Sequence, residues 1–204
     1  MFSRRIFSFA AATLALSACS PGQEAPKAAI GGPFTLVDQN GKPQTQAVLN
    51  GKWSAVFFGY TYCPDICPAT LQALAEAERQ LKPKGKDFQV VFISVDPARD
   101  TPAQMKTYLD NQAFPGNAVG LTGSDAQVAA AAKAYKVYYQ KEGSGADYTV
   151  GHVAYTYLMD PKGQFVRIIG TGDTPDDIAY EISQAMAGNP DARPAKNSAA
   201  APKS

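Results

Sequence analysis

Histidine is nearly absent from this chain: its 204 residues contain one, His152, beside three cysteines, Cys19, Cys63 and Cys67, and one tryptophan. A closed tetrahedral zinc site takes four Cys or His ligands. Cys63, Cys67 and the lone histidine leave such a site one ligand short. An excess of one charge is also missing. Lys and Arg number 19 against 18 Asp and Glu, a net +1, with no basic stripe or acidic block, which argues against a nucleic-acid partner. No apolar run is long enough to span a bilayer as a permanent helix; the stretch Ile6 to Leu16 is about eleven residues, where a span needs about 20. What is present is ordinary globular composition, 45% hydrophobic with 17 Gly and 15 Pro, which excludes collagen, coiled coil and wholesale disorder. A domain of about 150 residues buries most of its apolar surface without covalent staples, so the cysteines are free for chemistry.

Arg4 and Arg5 precede the short apolar run, the layout of a secretory signal over residues 1–18. The run ends Leu16, Ser17, Ala18, Cys19, which resembles the bacterial lipobox. Cys19 is therefore expected to be lipidated and to anchor the chain to a membrane, with the domain facing the periplasm. An ordinary signal cut near Ala18 is the plainer alternative. Ser3 to Phe7 also resembles a twin-arginine signal, ranked behind general secretion. Residues 19–32 read as a flexible tether and residues 188–204 as an unpacked tail, because Pro, Gly and Ala there offer too little apolar area to offset ordering entropy. The working domain is then 33–187, with no repeat and no second boundary.

Within the domain, Phe34–Val37 and Gln46–Leu49 flank the turn Asn40 to Pro43 and predict an N-terminal β-hairpin. Ala55–Tyr60 and Phe88–Val95 are continuous apolar runs, the pattern of strands covered on both faces. Ala69–Leu81 between them predicts a helix with Pro68 in its first turn. Further helices are predicted after Pro102, from Ser124 to Tyr135, and from Pro175 to Met186. Ala154–Met159 and Phe165–Ile169 predict a late hairpin around Asp160 to Gly163. The order β-α-β then β-β-α fits an α/β protein, a central sheet flanked by helices in the thioredoxin-like manner with the N-terminal hairpin as an extension.

Cys63 and Cys67 lie in TYCPDICPATL, after a predicted buried strand and at the opening of a helix, where open α/β sheets place functional groups. At a spacing of four on a helical turn the two sulfurs share a face, and the helix N-terminus favours thiolate over thiol. Three residues separate the cysteines, one more than in a thioredoxin-type redox pair, which tilts the reading from disulfide exchange toward metal. A structural disulfide and a pair of buried free thiols are the bland alternatives. His152 follows Cys67 by 85 residues. Taken alone it reads as structural. With two thiolates it completes a set of two sulfurs and one nitrogen suited to Cu(I), and the imidazole also makes Cu(II) tolerable.

Three ordered blocks, FFGYTYCPDICPATL at 57–71, SVDPARDTP at 94–102 and the His152 segment running into YLMDPKGQF at 157–165, together resemble the Sco/SenC family of membrane-tethered copper proteins that assemble cytochrome c oxidase. The resemblance implies copper ligation by Cys63, Cys67 and His152, and delivery to the dinuclear copper centre of cytochrome c oxidase subunit II, with an upstream copper donor as a further partner. One departure is Gly151, where the family carries an acidic or polar residue. A thiol-disulfide oxidoreductase, with Cys63 and Cys67 as the catalytic pair reducing that target's cysteines, is the rival; a copper or redox sensor ranks last because no output domain is visible. Asp96 and Arg99 either shape the loop beside the site or merely precede a helix start. Asp65 either tunes the thiols or satisfies the turn. Tyr60 and Tyr62 are rim candidates, while Met105 and Met159 read as packing rather than as thioether ligands.

Overall fold

A computed structural model describes residues 30–145 and 147–194. The expected signal, Cys19 and the tether up to residue 29 lie outside the described residues, as does the tail from 195. In chain order the elements are β1 (Thr35–Asp38), β2 (Pro43–Thr45), β3 (Trp53–Gly59), α1 (Ile66–Leu81), β4 (Phe88–Ser94), α2 (Pro102–Leu109), β5 (Val119–Thr122), α3 (Asp125–Tyr135), β6 (Tyr139–Glu142), β7 (Thr149–His152), β8 (Thr156–Met159), β9 (Phe165–Ile169) and α4 (Pro175–Met186). Among the described residues no helix is long and apolar enough to cross a membrane.

Seven strands form one mixed sheet in the order β2-β1-β5-β4-β3-β8-β9. β3 and β4 pair in parallel at its centre, Val56 opposite Val91 and Phe58 opposite Ile93, and β8 runs antiparallel to β3. Their apolar runs are buried on both faces. Ala55, Val90 and Leu158 meet Leu71 and Leu74 of α1 and Ile178 and Ile182 of α4. On the opposite face Val56, Phe58, Val91 and Ile93 meet Val128, Ala131 and Tyr135 of α3. Fully burying each such aliphatic or Phe side chain is worth about 1.5–3 kcal/mol, and this double-faced burial makes β3 and β4 the rigid platform beneath the site. The thioredoxin-like arrangement expected from the element order is the one observed.

Three expectations are corrected. The second hairpin strand is Pro43–Thr45, whereas Gln46–Leu49 is a 3-10 turn whose start is capped by the Thr45 hydroxyl accepting from Ala47 N–H. The tether ends sooner than expected: Gly31 N–H donates to Ala134 O at 3.0 Å, and Ile30 packs on the core. The tail starts later, because the buried Arg167 guanidinium needs acceptors and takes the carbonyls of Pro190 and Ala192 along with Glu181, itself bonded to Arg193.

Outside the main sheet stands a second, two-stranded one, β6-β7, with Tyr139 opposite His152. His152 precedes the strand β8, as its place before the apolar run Ala154–Met159 implies, and it is also the last residue of β7, a strand the sequence pattern does not show.

Candidate metal centre

β3 ends at Gly59, and the chain turns through Tyr60 to Asp65 before α1 begins. Cys67 is the second residue of that helix, but Cys63 precedes it. The pair therefore does not share a helical turn as expected. The sulfur of Cys63 instead accepts the Cys67 backbone N–H at 3.4 Å, doing for the helix start what the N-cap Asp65 side chain does not, since Asp65 makes no capping bond. Pro68 sits third in the helix, where its missing N–H would have had no helical partner.

The two sulfurs differ sharply in environment. Cys67 is fully buried among Phe57, Phe92 and Met105, and Cys63 is half-exposed. A hydrogen bond from the Cys67 thiol, helped by backbone N–H groups of Cys67 and Asp65 and by the charge of His152, lowers Cys63 to about 5 against the opposing effect of burial. The same bond and burial push Cys67 far up. Across neutral pH the pair thus holds one proton, on Cys67, and one thiolate, on Cys63. Gly59 makes this packing possible: a Cβ there would lie 2.8 Å from the Cys67 sulfur and 2.7 Å from the Phe92 ring.

Beneath the turn, Asp100 is fully buried and accepts from Thr61 N–H (3.1 Å), Thr61 hydroxyl (2.7 Å) and Ser94 hydroxyl (2.6 Å). Burial raises its carboxyl above the ordinary carboxylate range. These bonds tie the cysteine turn to the loop after β4. Nothing local in the sequence marks Asp100; SVDPARDTP reads there as a helix start, a role that falls to Thr101, whose hydroxyl caps α2.

His152 lies at the end of β7. Its Nδ1 is 3.1 Å from Val150 O; a carbonyl only accepts, so Nδ1 carries the N–H, and in the neutral ring Nε2 then has a lone pair to offer. That Nε2 is buried and has no hydrogen-bond partner. A buried nitrogen acceptor without a partner is rare enough to require an explanation, and a metal ion is one. The ring stands edge-on to Tyr60, centroids 5.9 Å apart. When the ring is protonated, His152 is close enough for its charge to be felt at Cys63. Even so, no three His, Cys, Asp or Glu side chains among the described residues converge tightly enough to hold an ion. The two cysteines are assembled, and the imidazole waits beside them.

Of the remaining candidates, Tyr60 is buried while Tyr62 is 55% exposed and forms a rim. Met105 packs against Cys67, and Met159 is in the main core. At Gly151 the space of an absent side chain is taken by Glu142, whose carboxylate oxygen would be 2.5 Å from a Cβ.

Residues 22–187 match the SCO1/SenC family. The chain is 44% identical over 163 residues to "Protein SCO1 homolog 1, mitochondrial" of Arabidopsis thaliana, covering 79% of this chain and 48% of that one, so it spans about half that relative's length. Among solved structures, Bradyrhizobium japonicum ScoI with copper bound is similar at 44% identity and a TM-score of 0.70, over 76% of this chain and 99% of that one. BsSco, described as a member of the Sco family of cytochrome c oxidase assembly proteins with a disulfide switch, is similar at 29% identity and a TM-score of 0.62, over 79% and 96%. With a family match running from just after the expected signal to the end of α4, this chain belongs to the SCO1/SenC family.

Proposed function

We propose that the protein is a copper chaperone of cytochrome c oxidase assembly, which takes copper on Cys63, Cys67 and His152 and passes it to the dinuclear copper centre of subunit II. Copper is its cargo. The observation that carries this reading is the buried, unpartnered Nε2 of His152 beside a ready thiolate. Soft thiolates select Cu(I), and an added imidazole admits Cu(II). Binding displaces the proton of Cys67, since metal ligands must be deprotonated. The copper-bound relative with 44% identity supports the same assignment. In this reading Cys19 carries a lipid that holds the domain at the periplasmic face of a bacterial membrane, and an upstream donor loads it.

The experiment is titration of the reduced full chain with Cu(I) and with Cu(II), beside His152→Ala. We expect Cu(II) binding to fall by more than about 100-fold without the imidazole, since loss of an outer-shell partner alone costs about 10–100-fold, and Cu(I) binding by two thiolates to persist. Equal Cu(II) binding by both proteins would reject the ligand set.

A second reading has an observation of its own. A half-exposed thiolate paired with a buried thiol is the arrangement of an attacking and a resolving cysteine. Cys63 would attack a target disulfide and expel one target thiolate. Cys67 would then release its proton to that thiolate and attack the Cys63 sulfur, freeing the second target sulfur and leaving a Cys63–Cys67 bridge; two electrons pass to the target. Reduction of a model disulfide by His152→Ala at the wild-type rate, with copper binding weakened, separates this activity from delivery.

A further inference from the structure

One loop, Val95–Thr101 between β4 and α2, reaches both halves of the site. Through Asp100 it holds the cysteine turn. Through Asp96 and Arg99 it holds the hairpin that ends in His152. Arg99 Nε donates to Asp96 Oδ2 at 2.5 Å, and Arg99 Nη1 donates to Tyr148 O at 3.0 Å. The Tyr148 hydroxyl donates to the other Asp96 oxygen at 2.5 Å. The Arg99 guanidinium lies 3.7 Å from the Tyr148 ring centroid and 4.7 Å from that of Tyr62, and Lys141 sits 3.5 Å above the Tyr148 ring. Asp96 is 4% exposed. A buried carboxylate whose two oxygens are both engaged, and an arginine bonded in two directions and stacked on rings, form a stiff, geometrically specific joint. It matters because β6-β7 has no ladder to the main sheet, so side-chain contacts set where β7 lies: Val150 packs into the main core, and this joint fixes the start of the strand.

We propose that Asp96, Arg99 and Tyr148 form a clamp that positions His152, fixing β7 so that Nε2 is presented to the dithiol. None of the three is a metal ligand; they are positioning residues. The proposal rests on the copper reading for its consequence, but its structural half stands without copper. Tyr148 begins the segment Tyr148–His152, whose ends are only four residues apart, so a shift at its anchor is passed almost directly to the imidazole. Because Asp96 and Asp100 belong to one turn, in which Arg99 N–H and Asp100 N–H both donate to Asp96 O, the sulfur and nitrogen halves are referenced to the same short piece of backbone.

The test uses the reduced full chain with Arg99→Met, Arg99→Lys and Tyr148→Phe. Tyr148→Phe keeps the ring and removes only the bond to Asp96, so it serves where the arginine variants lose folded structure. Hydrogen exchange is read first, without metal. We expect the Val150–Val153 amides to exchange at least about 10-fold faster, while amides of β3 and β4 stay unchanged. Exchange equal to wild type in Tyr148→Phe and Arg99→Lys overturns the clamp whatever copper does. Cu(II) titration follows in a cycle with His152→Ala. The clamp predicts about 10-fold weaker binding from Tyr148→Phe in the wild-type background and no further loss when His152 is already alanine. Equal losses in both backgrounds would show that the clamp does not act through His152 and overturn the proposal. Should His152→Ala itself leave Cu(II) binding unchanged, the copper ligand set fails while the exchange result still decides whether the clamp holds β7.

Discussion

The cysteine turn and the histidine hairpin are built in opposite ways. Cys67 sits on a helix packed against the two most buried strands, sealed by Phe57, Phe92 and Met105, and its neighbour Cys63 is bonded to the helix start. His152 ends a two-stranded sheet outside the main one, held to the body by Val150 in the core, by Asp96 and Arg99, and by its ring edge-on to Tyr60. Sulfurs held rigidly cost little further ordering when they meet an ion. The imidazole instead sits on a hairpin with no ladder to the main sheet, placed by Val150 in the core and by the joint of Tyr148 with Asp96 and Arg99.

The contrast between turn and hairpin is lost most completely from the sulfur side. Cys67→Ser removes the buried soft donor and the resolving thiol together, so loss of binding for both copper oxidation states and of disulfide reduction is expected, read by metal content and by turnover of a model disulfide. Removing the hairpin's donor with His152→Ala has a narrower outcome, a Cu(II) affinity lower by more than the about 100-fold an outer-shell change can cost, with the alkylation rate of Cys63 little altered, checked by titration and by iodoacetamide trapping. Gly59→Ala tests whether the platform is as rigid as described. Its methyl would meet Phe92 and the Cys67 sulfur at 2.7 and 2.8 Å, and overpacking a tight core costs about 1–3 kcal/mol, so chemical denaturation should show lower stability and the thiols altered reactivity. The smallest effect concerns the electrostatics. Because Cys63 is depressed to about 5 from an ordinary value of 9.0, its alkylation should stay near maximal through neutral pH, falling only as pH drops through about 5, in a pH–rate profile; a midpoint at the ordinary thiol value would contradict the shared proton.

The same contrast explains what is legible in the sequence. Strands β3 and β4 announce themselves as unbroken apolar runs because both faces are covered, and α3 announces its start at Ser124, where the capping box is formed with Gln127. The boundaries of β9 and α4 fall where Phe165–Ile169 and Pro175–Met186 place them. β5 escapes a reading of the sequence, since VGLT is four residues long and contains Gly120, where a Cβ would meet the side-chain ends of Leu109 at 2.7 Å and Met105 at 3.0 Å. β6 escapes it because YQKE is mostly exposed and has no alternation to read. For the site, the two cysteines are visible by spacing and His152 by its singularity and by the family resemblance. The joint between Arg99 and Tyr148 joins residues 49 apart in sequence, and no local pattern encodes such a contact. Asp100 is hidden for the same reason: its partner Thr61 is 39 residues away.

The proposed function depends on the two sulfurs and the imidazole of the separate hairpin meeting at one copper ion. X-ray absorption at the copper edge of the Cu(II)-loaded full chain measures it. Two sulfur scatterers at one distance together with an imidazole nitrogen, the nitrogen signal vanishing in His152→Ala, is the expected spectrum. A shell of two sulfurs with no imidazole, or one unchanged by that substitution, would mean that the imidazole never reaches the metal.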